Sequence, residues 1–124
     1  MSQNRSVLLV DDSKFARLLV KAFITSNYAD WRVDEAEEAE KAQAMAAEHA
    51  YDYLLIDFNM PGMNGLELGE KLRAAYPDAA IALLTANIQK EIQNKAHGLG
   101  MDFLAKPPTE EKICDYLKGK EAGR

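Results

Sequence analysis

Residues 6–12 of this chain read SVLLVDD, a mostly apolar run that ends in two aspartates. A second apolar run, at positions 53–56, ends in Asp57 in the same way. Continuous apolar runs of this length are typical of strands that are buried on both faces of a parallel sheet. Because ligands bind at the edge where the carboxyl ends of such strands open, we expect Asp11, Asp12 and Asp57 to share one pocket.

Two further apolar runs end in polar side chains that the same argument brings to this edge. Residues 80–84 lead to Thr85, and residues 103–105 lead to Lys106. Clustered carboxylates repel, since two unit charges about 4 Å apart interact by roughly 4 kcal/mol at an effective dielectric of 20. Mg²⁺ prefers oxygen ligands and often holds phosphate oxygens, and a carboxylate can attack phosphorus to give an aspartyl phosphate. The pocket therefore suits a divalent cation and a phosphoryl group.

The chain alternates apolar runs with helical patterns and predicts an α/β fold. We predict strands at 6–11, 31–36, 53–58, 80–85 and 102–105, and helices at 14–26, 39–49, 66–75, 88–98 and 109–118. Strands joined by helical crossovers pair in parallel, with right-handed connections. The alternation at 31–34 favours an edge or half-exposed strand, whereas the first, third and fourth strands belong in the centre. The predicted N-cap of the first helix is Ser13 or Asp12, that of the fourth is Asn87, and that of the fifth is Thr109. The tail from 119 to 124 is predicted to fray.

Composition narrows the classes of function. A chain of 124 residues fits one domain, and its net charge of −5 with a pI near 5.0 disfavours nucleic acid as a partner. No apolar run is long enough for a membrane span, and the first residues do not resemble a signal peptide. The single cysteine, Cys114, is expected to be a buried thiol. We therefore expect a cytoplasmic protein. Glu35, Glu37, Glu38 and Glu40 predict a solvated acidic patch.

Four motifs together resemble the receiver domain of two-component response regulators, of the single-domain chemotaxis-regulator kind. They are VLLVDDS at 7–13, DFNMPGMNG at 57–65, LTA at 84–86 and FLAKP at 103–107. The resemblance implies one receiver domain over residues 1–124, with a core from about 6 to 118. It also implies a doubly wound, flavodoxin-like sheet of five parallel strands in the order 2-1-3-4-5, with five helices.

The resemblance also implies a nucleophile and a set of metal ligands. Asp57 would be the phosphoacceptor, and Asp12 and Asp57 would ligate Mg²⁺ through their carboxylates. Asn59 would ligate it through its backbone carbonyl oxygen, and Asp11 through water. The side chains of Asn59 and Asn87 occupy positions that tune the access of water to the phosphoryl group, so we expect both to affect the lifetime of the phosphorylated state.

The remaining implied roles concern binding of the phosphoryl group and the response to it. Lys106 would pair with the phosphoryl group, and the Thr85 hydroxyl and the Ala86 backbone amide would donate hydrogen bonds to it. The Lys106-Pro107 peptide bond is expected to be cis. Thr85 and Phe103 would form the switch; because Phe103 lacks a hydroxyl, that switch must act through packing.

The implied function is a signalling switch. It would accept a phosphoryl group from a sensor histidine kinase or a histidine phosphotransfer protein, and then change its affinity for an output protein. It would catalyse only its own phosphorylation and dephosphorylation, so we do not expect an enzyme in the ordinary sense. Neither direct nucleic-acid binding nor membrane insertion is expected.

Two alternative hypotheses about the function stay open. A phosphorylation-independent interaction module could keep the fold without the chemistry, although the complete acidic pocket argues against it. A Mg²⁺-dependent phosphohydrolase could use Asp57 as nucleophile, but Asn59 stands where such enzymes usually have a second aspartate. Flavin binding is less favoured, because the first strand is followed by Asp-Asp-Ser-Lys rather than a hydroxyl- and glycine-rich phosphate loop.

Overall fold

A computed structural model of the chain describes residues 4–86 and 89–122. The elements follow one another as β1 (Ser6–Val10), α1 (Lys14–Asn27), β2 (Arg32–Ala36), α2 (Ala39–Glu48), β3 (Tyr53–Asp57), α3 (Gly65–Ala75), β4 (Ala80–Thr85), α4 (Lys90–Gly98), β5 (Asp102–Ala105) and α5 (Glu110–Ala122). The five strands form one parallel sheet in the order β2-β1-β3-β4-β5. The predicted α/β class, strand order and edge position of the second strand are therefore confirmed.

The sheet separates two apolar layers, and alternate residues of each central strand enter opposite layers. In β1, Leu8 and Val10 pack in the layer that contains buried residues of α2 and α3, whereas Val7 and Leu9 pack with buried residues of α1 and α5. All residues of β1 and β3 are buried. A fully buried aliphatic side chain contributes about 1.5–3 kcal/mol, so these strands form a rigid base for the loops that follow them.

Side-chain caps begin two of the helices at the predicted positions. The Ser13 hydroxyl accepts a hydrogen bond from the Ala16 amide at 3.2 Å, and the Thr109 hydroxyl accepts one from the Lys112 amide at 3.1 Å. These bonds satisfy amides that the first turn of a helix leaves without a partner. The predicted cap Asn87 and the predicted start of the fourth helix lie outside the described residues.

The last helix is longer than its sequence indicates. It continues past the predicted end at Lys118, and the prediction of a frayed tail is wrong as far as Ala122. Glu121 explains the extension, because its carboxylate pairs with Arg5 at 3.1 Å and accepts a hydrogen bond from the hydroxyl of the buried Tyr53. No helix within residues 4–86 and 89–122 is both long enough and apolar enough to cross a bilayer.

Gly65 gives a direct test of how tightly α3 is seated against the end of β3. Its amide donates to the Phe58 carbonyl at 2.9 Å, and a Cβ at this position would overlap the carbonyl oxygen of Asp57. Because that neighbour is backbone, Gly65→Ala should destabilise the protein by about 1–3 kcal/mol in urea unfolding followed by circular dichroism.

Gly119→Ala is the matched control for this prediction. Gly119 lies within α5, and a Cβ there would meet no neighbouring atom. The higher helix propensity of alanine should raise the free energy of unfolding by up to about 1 kcal/mol. Equal stabilities of Gly65→Ala and the parent would contradict the close approach of α3 to β3.

Candidate functional site

The carboxyl ends of β1 and β3 bring the three predicted aspartates together. One carboxylate oxygen from each of Asp11, Asp12 and Asp57 lies within 4.8 Å of the other two. Asp57 closes β3 and is only 4% exposed, whereas Asp11 is half-buried and Asp12 is exposed in the loop between β1 and α1. The cluster therefore runs from a buried carboxylate to one that faces solvent.

Lys106 is the cation of this pocket. Its Nζ lies 2.6 Å from Oδ1 of Asp57 and 3.7 Å from Oδ2 of Asp11. The Lys106 amide donates to the Thr85 carbonyl at 2.9 Å, which fixes the backbone of Lys106 to the end of β4. The Lys106-Pro107 peptide bond is cis, as expected. The contact with Asp57 is therefore a short ion pair with a buried carboxylate.

The other predicted site residues lie along β4, β5 and the loops at the same edge. Thr85 ends β4 and is completely buried. It follows Leu84, which is the residue opposite Asp57 in the sheet, and the next residue, Ala86, is exposed. Asn59 is exposed in the loop after β3, and Phe103 is half-buried in β5. Asn87 lies outside the described residues. The roles expected for these residues stay predictions.

Burial and neighbouring charges shift the pKa values of Asp57 and Lys106. Burial raises the pKa of the Asp57 carboxyl, and the charges of Asp11 and Asp12 raise it further, against the opposing effect of Lys106. Burial alone would lower the pKa of Lys106, but its contact with Asp57 and the charges of Asp11 and Asp12 raise it overall. The ammonium of Lys106 is therefore favoured by the three acidic side chains that it faces.

Arg17 is a residue of this region that the sequence patterns did not reveal. Its Nη1 donates to the backbone carbonyl of Asp11 at 2.6 Å, and its Nε donates to Glu35 at 3.0 Å. Glu35 is therefore half-buried and paired, and its assignment to a solvated acidic patch is wrong. One sequence feature could have indicated this pair. Arg17 lies one helical turn after the cap Ser13, and the acidic Glu35 lies near the end of the next strand.

The donor set fits a hard divalent cation. All three side chains offer carboxylate oxygens, which Mg²⁺ prefers, and the exposed side of Asp12 leaves room for the water ligands that Mg²⁺ retains. Asp11, Asp12 and Asp57 are thus the residues that could hold the ion.

Relief of repulsion among these carboxylates predicts that Mg²⁺ stabilises the fold. At a concentration one hundred times its dissociation constant, a ligand that binds only the folded state adds about 2.7 kcal/mol. We expect Mg²⁺ to raise the melting temperature by several degrees at constant ionic strength, measured by differential scanning calorimetry. Asp12→Ala should abolish the gain, and Asp57→Ala should reduce it.

Asp78→Ala controls for the removal of one negative charge, since Asp78 is exposed just before the opposite, amino end of β4. This variant should keep the full gain of the parent. A gain in Asp12→Ala equal to that of the parent would contradict the assignment of the cation site.

Comparison with known proteins agrees with this architecture. Residues 7–118 match a family described as "Response regulator receiver domain". The chain is 36% identical over 118 residues to the sensor protein EvgS of Escherichia coli (strain K12), an alignment that covers 94% of this chain and 10% of EvgS. It is 31% identical over 114 residues to the chemotaxis protein CheY of Halobacterium salinarum, covering 91% of this chain and 93% of that protein.

The solved structures give the same picture of the fold. The structure of the chemotaxis protein CheY4 of Vibrio cholerae aligns with a TM-score of 0.86 at 28% identity, and covers 94% of this chain and 98% of that one. The chain thus spans 10% of the sensor protein but 93% of the Halobacterium chemotaxis protein.

Proposed function

Because this chain belongs to the family of response regulator receiver domains, we propose that it is a phosphorylation-dependent switch that accepts a phosphoryl group on Asp57. Members of this family are signalling switches rather than enzymes that turn over a separate substrate. The observation that carries the proposal is the buried Asp57 carboxylate, 2.6 Å from the ammonium of Lys106 and clustered with Asp11 and Asp12.

The proposed reaction is a displacement at phosphorus. An oxygen of Asp57 forms a bond to phosphorus while the bond from phosphorus to the donor's leaving group breaks. Mg²⁺, held by Asp11, Asp12, Asp57 and the backbone carbonyl of Asn59, would supply charge neutralisation. Lys106 would pair with an oxygen of the transferred group, and its ion pair with Asp57 supports this role. Positioning and neutralisation of charge are the main requirements of phosphoryl transfer.

The proposed switch connects the pocket to β5. The Thr85 hydroxyl and the Ala86 amide would donate hydrogen bonds to the phosphoryl group, so Thr85 would move toward it. Thr85 is the register partner of Ala105, and Phe103 lies on the same face of β5 as Ala105. Phe103 is half-buried and can take up space that Thr85 vacates. A coupling of this kind is typically worth about 1–3 kcal/mol, which changes a partner's affinity roughly 5–150-fold.

The proposed partners follow from the chemistry and the relatives. A sensor histidine kinase or a histidine phosphotransfer protein would supply the phosphoryl group, and the output protein would bind the surface formed by α4, β5 and α5. The similarity to a sensor protein and to chemotaxis regulators supports both a kinase source and a protein output. Such a domain would work in the cytoplasm.

Labelling with a small phosphodonor tests this function without a cognate kinase. With acetyl phosphate and Mg²⁺, intact-mass spectrometry should show the mass of one added phosphoryl group, and peptide mapping should place it on Asp57. Asp57→Asn should abolish the label, and Mg²⁺ removal should suppress it, because the carboxylates then repel the incoming phosphate. Lys106→Ala should label more slowly.

Asp78→Asn is the matched control, since it removes an exposed aspartate away from the pocket and should label like the parent. Transfer to a different side chain, or an equal label in Asp57→Asn, would refute the assignment. A parent that stays unlabelled by acetyl phosphate and by phosphorylated kinases would favour the phosphorylation-independent alternative.

A further inference from the structure

We propose that Arg17 is a positioning residue for the Mg²⁺ site, because it holds the Asp11-Asp12 segment in place against Asp57. The proposal deepens the function proposed above and rests on it. It assigns a role to a side chain of α1 that would contact neither the phosphoryl group nor the ion directly.

The contacts of Asp11 show how the segment is held. Its amide donates to the Ala36 carbonyl of β2 at 3.1 Å, and its carbonyl accepts from Arg17 Nη1 at 2.6 Å. Both backbone polar groups of Asp11 are therefore fixed, one by the edge strand and the other by a cation. A hydrogen bond from a charged donor is roughly twice as strong as one between neutral groups.

Glu35 fixes the orientation of the guanidinium itself. It accepts from Arg17 Nε at 3.0 Å, and the Arg17 side chain is only 12% exposed. Two different nitrogens of one planar group thus bind β2 and the loop after β1 at the same time. Lysine has a single donor atom and cannot reproduce this fork. Lys21 also reaches Glu35, at 3.6 Å, but is 40% exposed.

The site needs such a restraint because its own charges oppose it. Asp11 and Asp12 are adjacent in one loop and face the buried Asp57, and the Lys106 ammonium is closer to Asp57 than to Asp11. Repulsion therefore favours outward movement of the loop whenever no cation joins the three carboxylates. Arg17 opposes this movement through the backbone carbonyl of Asp11 and does not use its carboxylate, whose Oδ1 accepts a hydrogen bond from the Ser13 amide at 2.9 Å.

The expected effect is on metal affinity rather than on the chemical step. Loss of a group that supports metal ligands typically lowers metal affinity 10–100-fold. Arg17→Ala should therefore raise the Mg²⁺ dissociation constant by about tenfold or more. The maximal rate of Asp57 labelling at saturating Mg²⁺ should stay within about twofold of the parent, because the bound ion then restores the same arrangement.

Four variants separate positioning from a merely structural role: Arg17→Ala, Arg17→Lys, Glu35→Gln and the control Lys21→Ala. Mg²⁺ affinity is measured by isothermal titration calorimetry, and labelling by acetyl phosphate is followed across a range of Mg²⁺ concentrations, both well below the melting temperatures. Arg17→Lys keeps one donor and should lose less affinity than Arg17→Ala. Lys21→Ala, which shares Glu35 but lacks the bond to Asp11, should match the parent.

The outcomes are distinct. Labelling of the parent on Asp57 tests the proposed function, whereas the differences in Mg²⁺ affinity among the variants test Arg17. A lower melting temperature with unchanged Mg²⁺ affinity in Arg17→Ala would overturn the proposal, and so would an equal loss in Lys21→Ala. If Arg17→Ala does not fold, weaker Mg²⁺ binding by Arg17→Lys or Glu35→Gln supports the proposal, and parent-like binding by both overturns it.

Discussion

The site depends on the repulsion among three carboxylates. The packed strands of the sheet hold these carboxylates close together although they repel one another. Asp57 is fixed at the end of a wholly buried strand, and Asp11 follows another directly. The ammonium of Lys106 faces Asp57 and Asp11. The folded chain therefore keeps electrostatic energy at this edge, which a bound divalent cation would relieve. This is the physical basis on which we propose a switch that responds to phosphorylation.

The supporting structure is built to resist that repulsion. The apolar layers on both faces of the sheet anchor the strands, and the cap at Ser13 starts α1 directly after the acidic pair. Arg17 binds the Asp11 carbonyl and ties it to Glu35 of the edge strand. On the far side of the pocket, the bond from the Lys106 amide to the Thr85 carbonyl fixes the end of β5 to that of β4. Each element at this edge therefore contributes either a charge or a restraint.

The sequence predicts the features that depend on local pattern. Apolar runs and their spacing identify the five strands, and the polar residue at each carboxyl end identifies the pocket that the structure assembles from Asp11, Asp12, Asp57 and Lys106. It does not predict features that depend on partners far apart in the chain. The continuation of α5 past Lys118 depends on contacts of Glu121 with Arg5 and Tyr53, and the position of Arg17 depends on Glu35 of another element. Such long-range pairs leave no periodic signal in one sequence.

A crystal structure grown with Mn²⁺ and beryllofluoride tests the central claim most directly, because it shows both the ion and a mimic of the phosphoryl group. We predict anomalous density for one ion among Asp11, Asp12 and Asp57, with beryllofluoride on an oxygen of Asp57 and its fluorines in contact with Lys106. An ion bound elsewhere, or beryllofluoride that leaves Asp57 unmodified, would contradict the account.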